Sequence, residues 1–196
     1  MNASPAPSAQ TLPTVEGRDI AALQDPRPIC LIGACAGDGA PANFATVIWV
    51  TPVSHKPPMI AFALREKART MELLRESGAF SVSTLPAAAD AAALAEFCGS
   101  TTGHAVDKGK QVEHFIVHAE RTDGDAACAP VPTCALSWVA CAVESVQEAG
   151  DHLLVVGRVR EARIDAPRDE RGRLVPAGTL LCVQHGTYAK GAVLDF

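Results

Sequence analysis

Nowhere in the chain do lysines and arginines run together among aromatic residues, and the formal net charge is −5, so a nucleic-acid phosphate backbone would have little to hold. The glycine-rich stretch Gly33 to Gly39 lacks G-x-G-x-x-G spacing and no helical pattern follows it, which excludes a dinucleotide loop. The G-x-S-x-G elbow of acyl transfer is absent as well. His114 and His118 stand four apart, but the H-E-x-x-H glutamate is missing and Phe115, Ile116 and Val117 between them suggest a strand, so no metal is expected. The N-terminus has neither the basic start nor the apolar block of a secretory signal. A membrane span is not expected either, since uncharged Ala126 to Val143 is broken by Pro130, Pro132, Thr133 and Ser137. The seven cysteines, at 30, 35, 98, 128, 134, 141 and 182, are odd in number and form no C-x-x-C pair. Neither a disulfide framework nor zinc is expected, which points to a reducing cytoplasm.

What is present fits one domain of 196 residues, long enough to bury a core without staples. Residues 1–14, rich in Ala, Ser and Pro, read as a flexible tail before a domain over 15–196. Pro28 to Ala36 is an apolar run ending in a glycine turn. Asp38 to Pro58 supplies a long partner strand, and Met59 to Leu64 a third. Thr70 to Ser77 reads as a short helix with Thr70 as the capping hydroxyl and Gly78 beyond its end. Ala79 to Leu85 reads as a strand, and alanine-rich Ala87 to Cys98 as a second helix stopping at Gly99. Leu136 to Val146 and Leu153 to Ile164 form a hairpin, with a bulge at Gly157. Arg158 to Arg173 mixes both charge signs and reads as a solvated surface. Helices set between hairpins predict a mainly β fold, a closed or nearly closed antiparallel barrel with peripheral helices.

Two stretches carry candidate chemistry. Arg65, Lys67 and Arg69 with Thr70 precede the first helix, whose free N–H groups and dipole suit a phosphate dianion. An exposed charged loop with an ordinary cap fits the same residues. Asn43 and Trp49 fall on one face of the second strand, Ala45 and Val47 between them and Thr46 opposite. Such a face could lie along a flat heteroaromatic ring, with Ala45 and Thr46 beside it, or be a barrel strand with an edge amide and a core indole. His152 and His185 are solvated turn histidines or binding groups by the same reasoning.

Several patterns occur together in order: G-x-x-x-x-N-x-A-T-x-x-W-x-x-P-V-S over Gly37 to Ser54 and P-P to Pro58, then R-x-x-x-x-T before the first helix. G-A-F-x-V-x-x-L follows at Gly78, C-G-S-x-x-G-x-x-V-D-K at Cys98, and G-D-H-L-L-V-V-G-x-V at Gly150. Together they resemble the flavoredoxin branch of the flavin reductase-like family over about Arg27 to Ile164. The resemblance implies the FMN-binding split β-barrel and a homodimer, which scarce aromatics and many small apolar residues suit. It implies flavin contacts for Asn43, Trp49, Lys108 and His152, with Thr70 at the phosphate; Arg65 and Lys67 join them from the phosphate argument. Its activity would be that of an NAD(P)H-dependent flavin reductase, with NADH or NADPH as donor. The alternatives are an electron carrier serving a redox-partner protein and a split-barrel binding module whose ligand is haem or nothing. Cys182 to Tyr188 departs from the family pattern, so His185 and Tyr188 stay outside the assigned site.

Overall fold

The computed structural model describes residues 14–17, 19–121, 123–174, 178–184 and 187–190, so the expected tail lies almost wholly outside the described residues. A one-turn helix α1 (Asp19–Ala22) and a short strand β1 (Arg27–Pro28) lead into β2 (Cys30–Cys35), every residue of which is buried. Strand alternation explains how six small and branched residues serve two sides at once. Cys30, Ile32 and Ala34 join one apolar cluster with Phe62, Phe80 and Val155, while Leu31 and Cys35 join a second with Phe44 and Leu85. Each fully buried phenylalanine or leucine stabilises the fold by about 2 kcal/mol.

β2 lies between β3 (Ala42–Val47) and β6 (Ala79–Thr84), and the sheet continues through β9 (Ser137–Ala149) and β10 (His152–Ile164). It ends with β5 (Pro58–Leu64) and β4 (Val50–His55), giving the antiparallel order β3-β2-β6-β9-β10-β5-β4. Hydrogen bonding stops at β3 and β4, so the sheet is open where a closed or nearly closed barrel was expected. A two-stranded sheet, β7 (His114–Glu120) with β8 (Ala126–Pro132), and a three-stranded one, β1 with β11 (Leu180–Gln184) and β12 (Thr187–Lys190), complete the β structure. His114 and His118 thus sit on a strand, and no metal-binding cluster of His, Cys, Asp or Glu occurs among the described residues. No helix among them is long and apolar enough to cross a membrane.

Two longer helices pack on the sheet. α2 (Arg69–Ser77) buries Met71, Leu73 and Leu74 and ends at Gly78, whose φ of 73° favours glycine. α3 (Ala89–Ser100) buries Ala91, Ala95 and Cys98, a helical stripe that packs on β3, and it runs past Gly99 rather than stopping there. The β9–β10 hairpin shifts register at Gly157, as expected, and only glycine fits there because a side chain would collide with the Phe80 ring.

Three expectations need correction. The run from Asp38 to Pro58 is two strands, broken at Ile48 and Trp49, because the Trp49 carbonyl accepts a hydrogen bond from Ala63 N at 3.1 Å, across to β5. Thr70 does not cap α2: Ala68 takes the extended cap conformation, and the Met71 and Glu72 N–H groups donate to its carbonyl. Cys35 and Cys128 form a disulfide, with Cα atoms 6.4 Å apart and a sequence separation of 93. The spacing along the chain concealed this pair because β2 and β8 meet only through folding. With it goes the cysteine argument for a reducing compartment.

Candidate functional site

The break between β3 and β4 opens a cavity of about 760 Å³. One wall is β3 with Ile48 and Trp49, a second is the end of β5 and the start of α2, and a third is the segment from Cys98 to Gly103 that leaves α3. Asn43, Ala45, Thr46 and Trp49 all line it, as do Arg65, Lys67 and Thr70, and so do Lys108 and His152. Every residue assigned to the cofactor site therefore meets in one place, although Asn43 and Trp49 no longer share a single strand.

These side chains are held in two different ways. Asn43 is 5% exposed and donates from Nδ2 to Thr70 Oγ1 at 2.7 Å, tying β3 to the first turn of α2. Thr70, 1% exposed, accepts this bond and keeps its own O–H as a donor. Thr46 Oγ1 donates to the Ala95 carbonyl at 2.6 Å and ties the same strand to α3. Lys108 is 3% exposed, and its Nζ donates to Phe44 O at 2.9 Å and to Cys98 O at 2.7 Å. No carboxylate lies within ion-pair distance of it among the described residues, and burial lowers its pKa from the usual lysine value while the Cys98 thiolate would raise it. Burial pushes the Cys98 thiol up to about 11, so this cavity-lining sulfur stays protonated and is a poor nucleophile at neutral pH.

The mouth is different. Arg65 and Lys67 are exposed and enter no ion pair among the described residues. Arg69 Nη1 donates to Glu72 Oε2 at 2.8 Å. At the opposite rim the Trp49 indole, 40% exposed, meets the His152 ring at a centroid distance of 4.9 Å. His152 Nδ1 pairs with Asp151 Oδ1 at 2.8 Å, a bond that holds the Asp151 carboxyl below its ordinary value. Between mouth and wall runs an apolar shelf of Ala45, Val47 and Ala63. α2 begins with an alanine cap and no side-chain cap bond, so its dipole and first N–H groups are presented without a competing side-chain acceptor.

The sequence reading missed Gly99 and Gly103, while Arg69, named in the phosphate stretch, was not carried into the assigned site. The glycines stood in the quoted pattern beginning at Cys98, from which only Lys108 was drawn. A Cβ at Gly103 would collide with the Asn43 carboxamide, and one at Gly99 would press on Thr46 at 3.3 Å. Tyr188 is not part of the cavity lining; its hydroxyl donates to Glu96 Oε2 at 2.7 Å. His185 lies outside the described residues.

The chain is similar to known proteins. A flavin reductase of Pseudomonas putida is 27% identical over 143 residues, covering 73% of this chain and 76% of its own. The crystal structure of an FMN-binding protein from Thermus thermophilus with bound 1-cyclohex-2-enone is 28% identical, with a TM-score of 0.76 over 97% of this chain and 99% of that one. A flavoredoxin from Methanosarcina acetivorans shares the fold, with a TM-score of 0.72 and 24% identity over 87% of this chain and 88% of that one. The flavin reductase-like domain profile matches residues 24–191, which take in all three walls of the cavity, and the chain belongs to that family.

Proposed function

We propose that this cavity holds FMN and that the protein is a flavin reductase-like oxidoreductase fed by NADH or NADPH. The observation that carries the reading is one cavity with two ends: a shelf of small apolar side chains, and an uncapped helix start beside Arg65, Lys67 and Arg69. A flat tricyclic ring with an anionic tail has that shape and polarity. The residues present fit FMN on a further count. Gly99 and Gly103 keep the third wall close against β3, leaving a slot rather than a bowl.

Bound FMN would supply the two-electron redox chemistry, which no side chain here replaces. The chain's own groups bind and orient. Arg65 and Lys67 neutralise the phosphate with the first N–H groups of α2. Asn43 keeps a second N–H and its carbonyl for the ring edge after donating to Thr70. Trp49 and His152 flank the opening through which a nicotinamide would approach. On this reading the open sheet belongs to the split β-barrel class and the protein works as a homodimer. Exposed Val53, Phe115 and Ile116 supply apolar surface for the subunit contact, which sedimentation would test.

Two measurements test the proposal. Flavin released on denaturation should be FMN, and colourless protein that takes up no added flavin would end the reading. Stopped-flow mixing with NADH and with NADPH should bleach bound flavin within seconds. Bound flavin that neither donor bleaches would instead make the protein an electron carrier serving a redox-partner protein.

A further inference from the structure

Arg65, Lys67, Arg69 and Lys108 line the cavity, and no Asp or Glu among the described residues does. Three of these cations have a counter-charge. Arg69 is held by Glu72, and Arg65 with Lys67 matches the two negative charges of a phosphate monoester dianion. Lys108 is left over. Two of its three N–H groups are used on carbonyls that the fold leaves unpaired: Phe44 O, on the edge strand β3, and Cys98 O, in the last turn of α3. The third has no acceptor among the described residues, on a buried side chain that lines the slot.

An isolated cation out of water is costly, and here dipoles rather than an anion offset the cost. The two carbonyls solvate the ammonium, and its place in the last turn of α3 sets it at the negative end of that helix. None of this cancels its charge. Two other titratable groups of the lining leave the charge uncancelled as well: the Cys98 thiol is protonated at neutral pH, and His152 at the rim is paired with Asp151. The position is fixed from both sides of the slot, since Phe44 follows Asn43 on β3 and Cys98 precedes Gly99 on the facing segment.

We propose that Lys108 is the resident counter-charge for the negative charge that a flavin ring gains on reduction, and so sets how readily the bound ring accepts a hydride. The inference rests on the flavin reading above. A hydride brings an electron pair and one proton: its C–H bond to the dihydronicotinamide breaks and an N–H bond to the ring forms. The donor leaves as a pyridinium cation, and one negative charge stays in the slot with no solvent proton required. Arg65 and Lys67 already face the phosphate. Lys108 is held in place before the electrons arrive, so meeting the new charge costs no rearrangement.

The test is the two-electron midpoint potential of bound FMN, read by equilibration with a reference dye, for the full-length wild type, Lys108→Met and Lys108→Arg. The wild-type potential should fall by about 30 mV per pH unit between about pH 6 and about pH 8, the slope of one proton per two electrons. Lys108→Met should bind reduced FMN at least about tenfold less tightly relative to oxidised FMN, a drop in potential of about 30 mV or more. Lys108→Arg, which keeps the charge, should retain most of the wild-type potential. A wild-type slope of about 60 mV, two protons per two electrons, overturns the proposal, because the ring would then be neutralised by solvent. So does a Lys108→Met potential equal to wild type, or a Lys108→Arg potential as low as that of Lys108→Met. All three outcomes leave the flavin reading intact. Should Lys108→Met fail to hold FMN, the wild-type slope decides. Failure of the wild type to bind FMN overturns the flavin reading, and this proposal with it.

Discussion

Asn43, Thr70 and Lys108 on the inner wall of the cavity are buried and bound to other parts of the chain, whereas Arg65, Lys67 and Trp49 at its mouth are exposed. Both sets looked alike in the sequence, as polar, charged or aromatic residues assigned to one site. Their surroundings separate them. A buried donor must find an acceptor or cost the full desolvation of its partner groups, so the inner residues are committed to holding β3, α2 and α3 in register. Solvent satisfies the outer residues, and they are free to exchange water for a ligand. The inner wall gives the slot its shape; the mouth supplies charge and contact.

The broadest way to probe the inner region is alkali. Burial pushes the thiols of Cys30 and Cys141 up to about 12 and that of Cys98 up to about 11, from an ordinary 9.0. A group whose folded pKa is raised contributes stability that is fully present below its unfolded pKa and lost as pH rises through the folded one. Stability should therefore fall between pH 9 and 12, each thiol contributing up to about 1.4 kcal/mol per pH unit. Lys108 works in the opposite direction because its folded pKa is lowered, and it blunts the fall. Denaturant melts across this range measure the slope, and Cys141→Ala should flatten it; an unaltered slope would mean the thiol is not buried in solution.

Next in size is Lys108→Met. It keeps the length of the side chain but strips the donors from the Phe44 and Cys98 carbonyls, so about 3 kcal/mol of stability should be lost. A melt within error of wild type would place Lys108 with the mouth residues instead.

Thr70→Val should cost about 1 kcal/mol by leaving the Asn43 N–H without its acceptor. FMN and riboflavin affinities should drop by the same factor, since the change loosens a wall that both flavins share. Loss confined to FMN would return Thr70 to the phosphate.

The smallest effect on stability belongs to the double variant Arg65→Ala with Lys67→Ala, within about 0.5 kcal/mol of wild type because both side chains are solvated. Its FMN affinity should nonetheless fall on the order of tenfold or more, with riboflavin binding unchanged. Equal loss for the two flavins would erase the distinction between mouth and wall.

Much of the fold was legible where the cause is local. Glycine at 78 marked the end of α2 because only a residue without a side chain takes that φ cheaply, and the bulge at Gly157 followed from a glycine inside a strand pattern. The break at Ile48 and Trp49 was not legible, since no glycine or proline marks it and its cause is a hydrogen bond to β5. The start of α2 was misplaced because a threonine two residues into the helix looked like a better cap than alanine. The sheet's open edges and the Cys35–Cys128 pair were hidden for a related reason: strand order and cross-sheet distance are not properties of any local window.

At the site the sequence alone determined which residues gather, since turn, period and motif order place each on an element whose end faces the cavity. Folding decided what each of them can still do. Whether Lys108 is a free cation or a cross-link depends on two carbonyls, 64 and 10 residues away, that come within reach only once β3 and α3 have packed. Hydrogen-bonding capacity is a fixed property of a side chain, but its occupancy is set by neighbours in space.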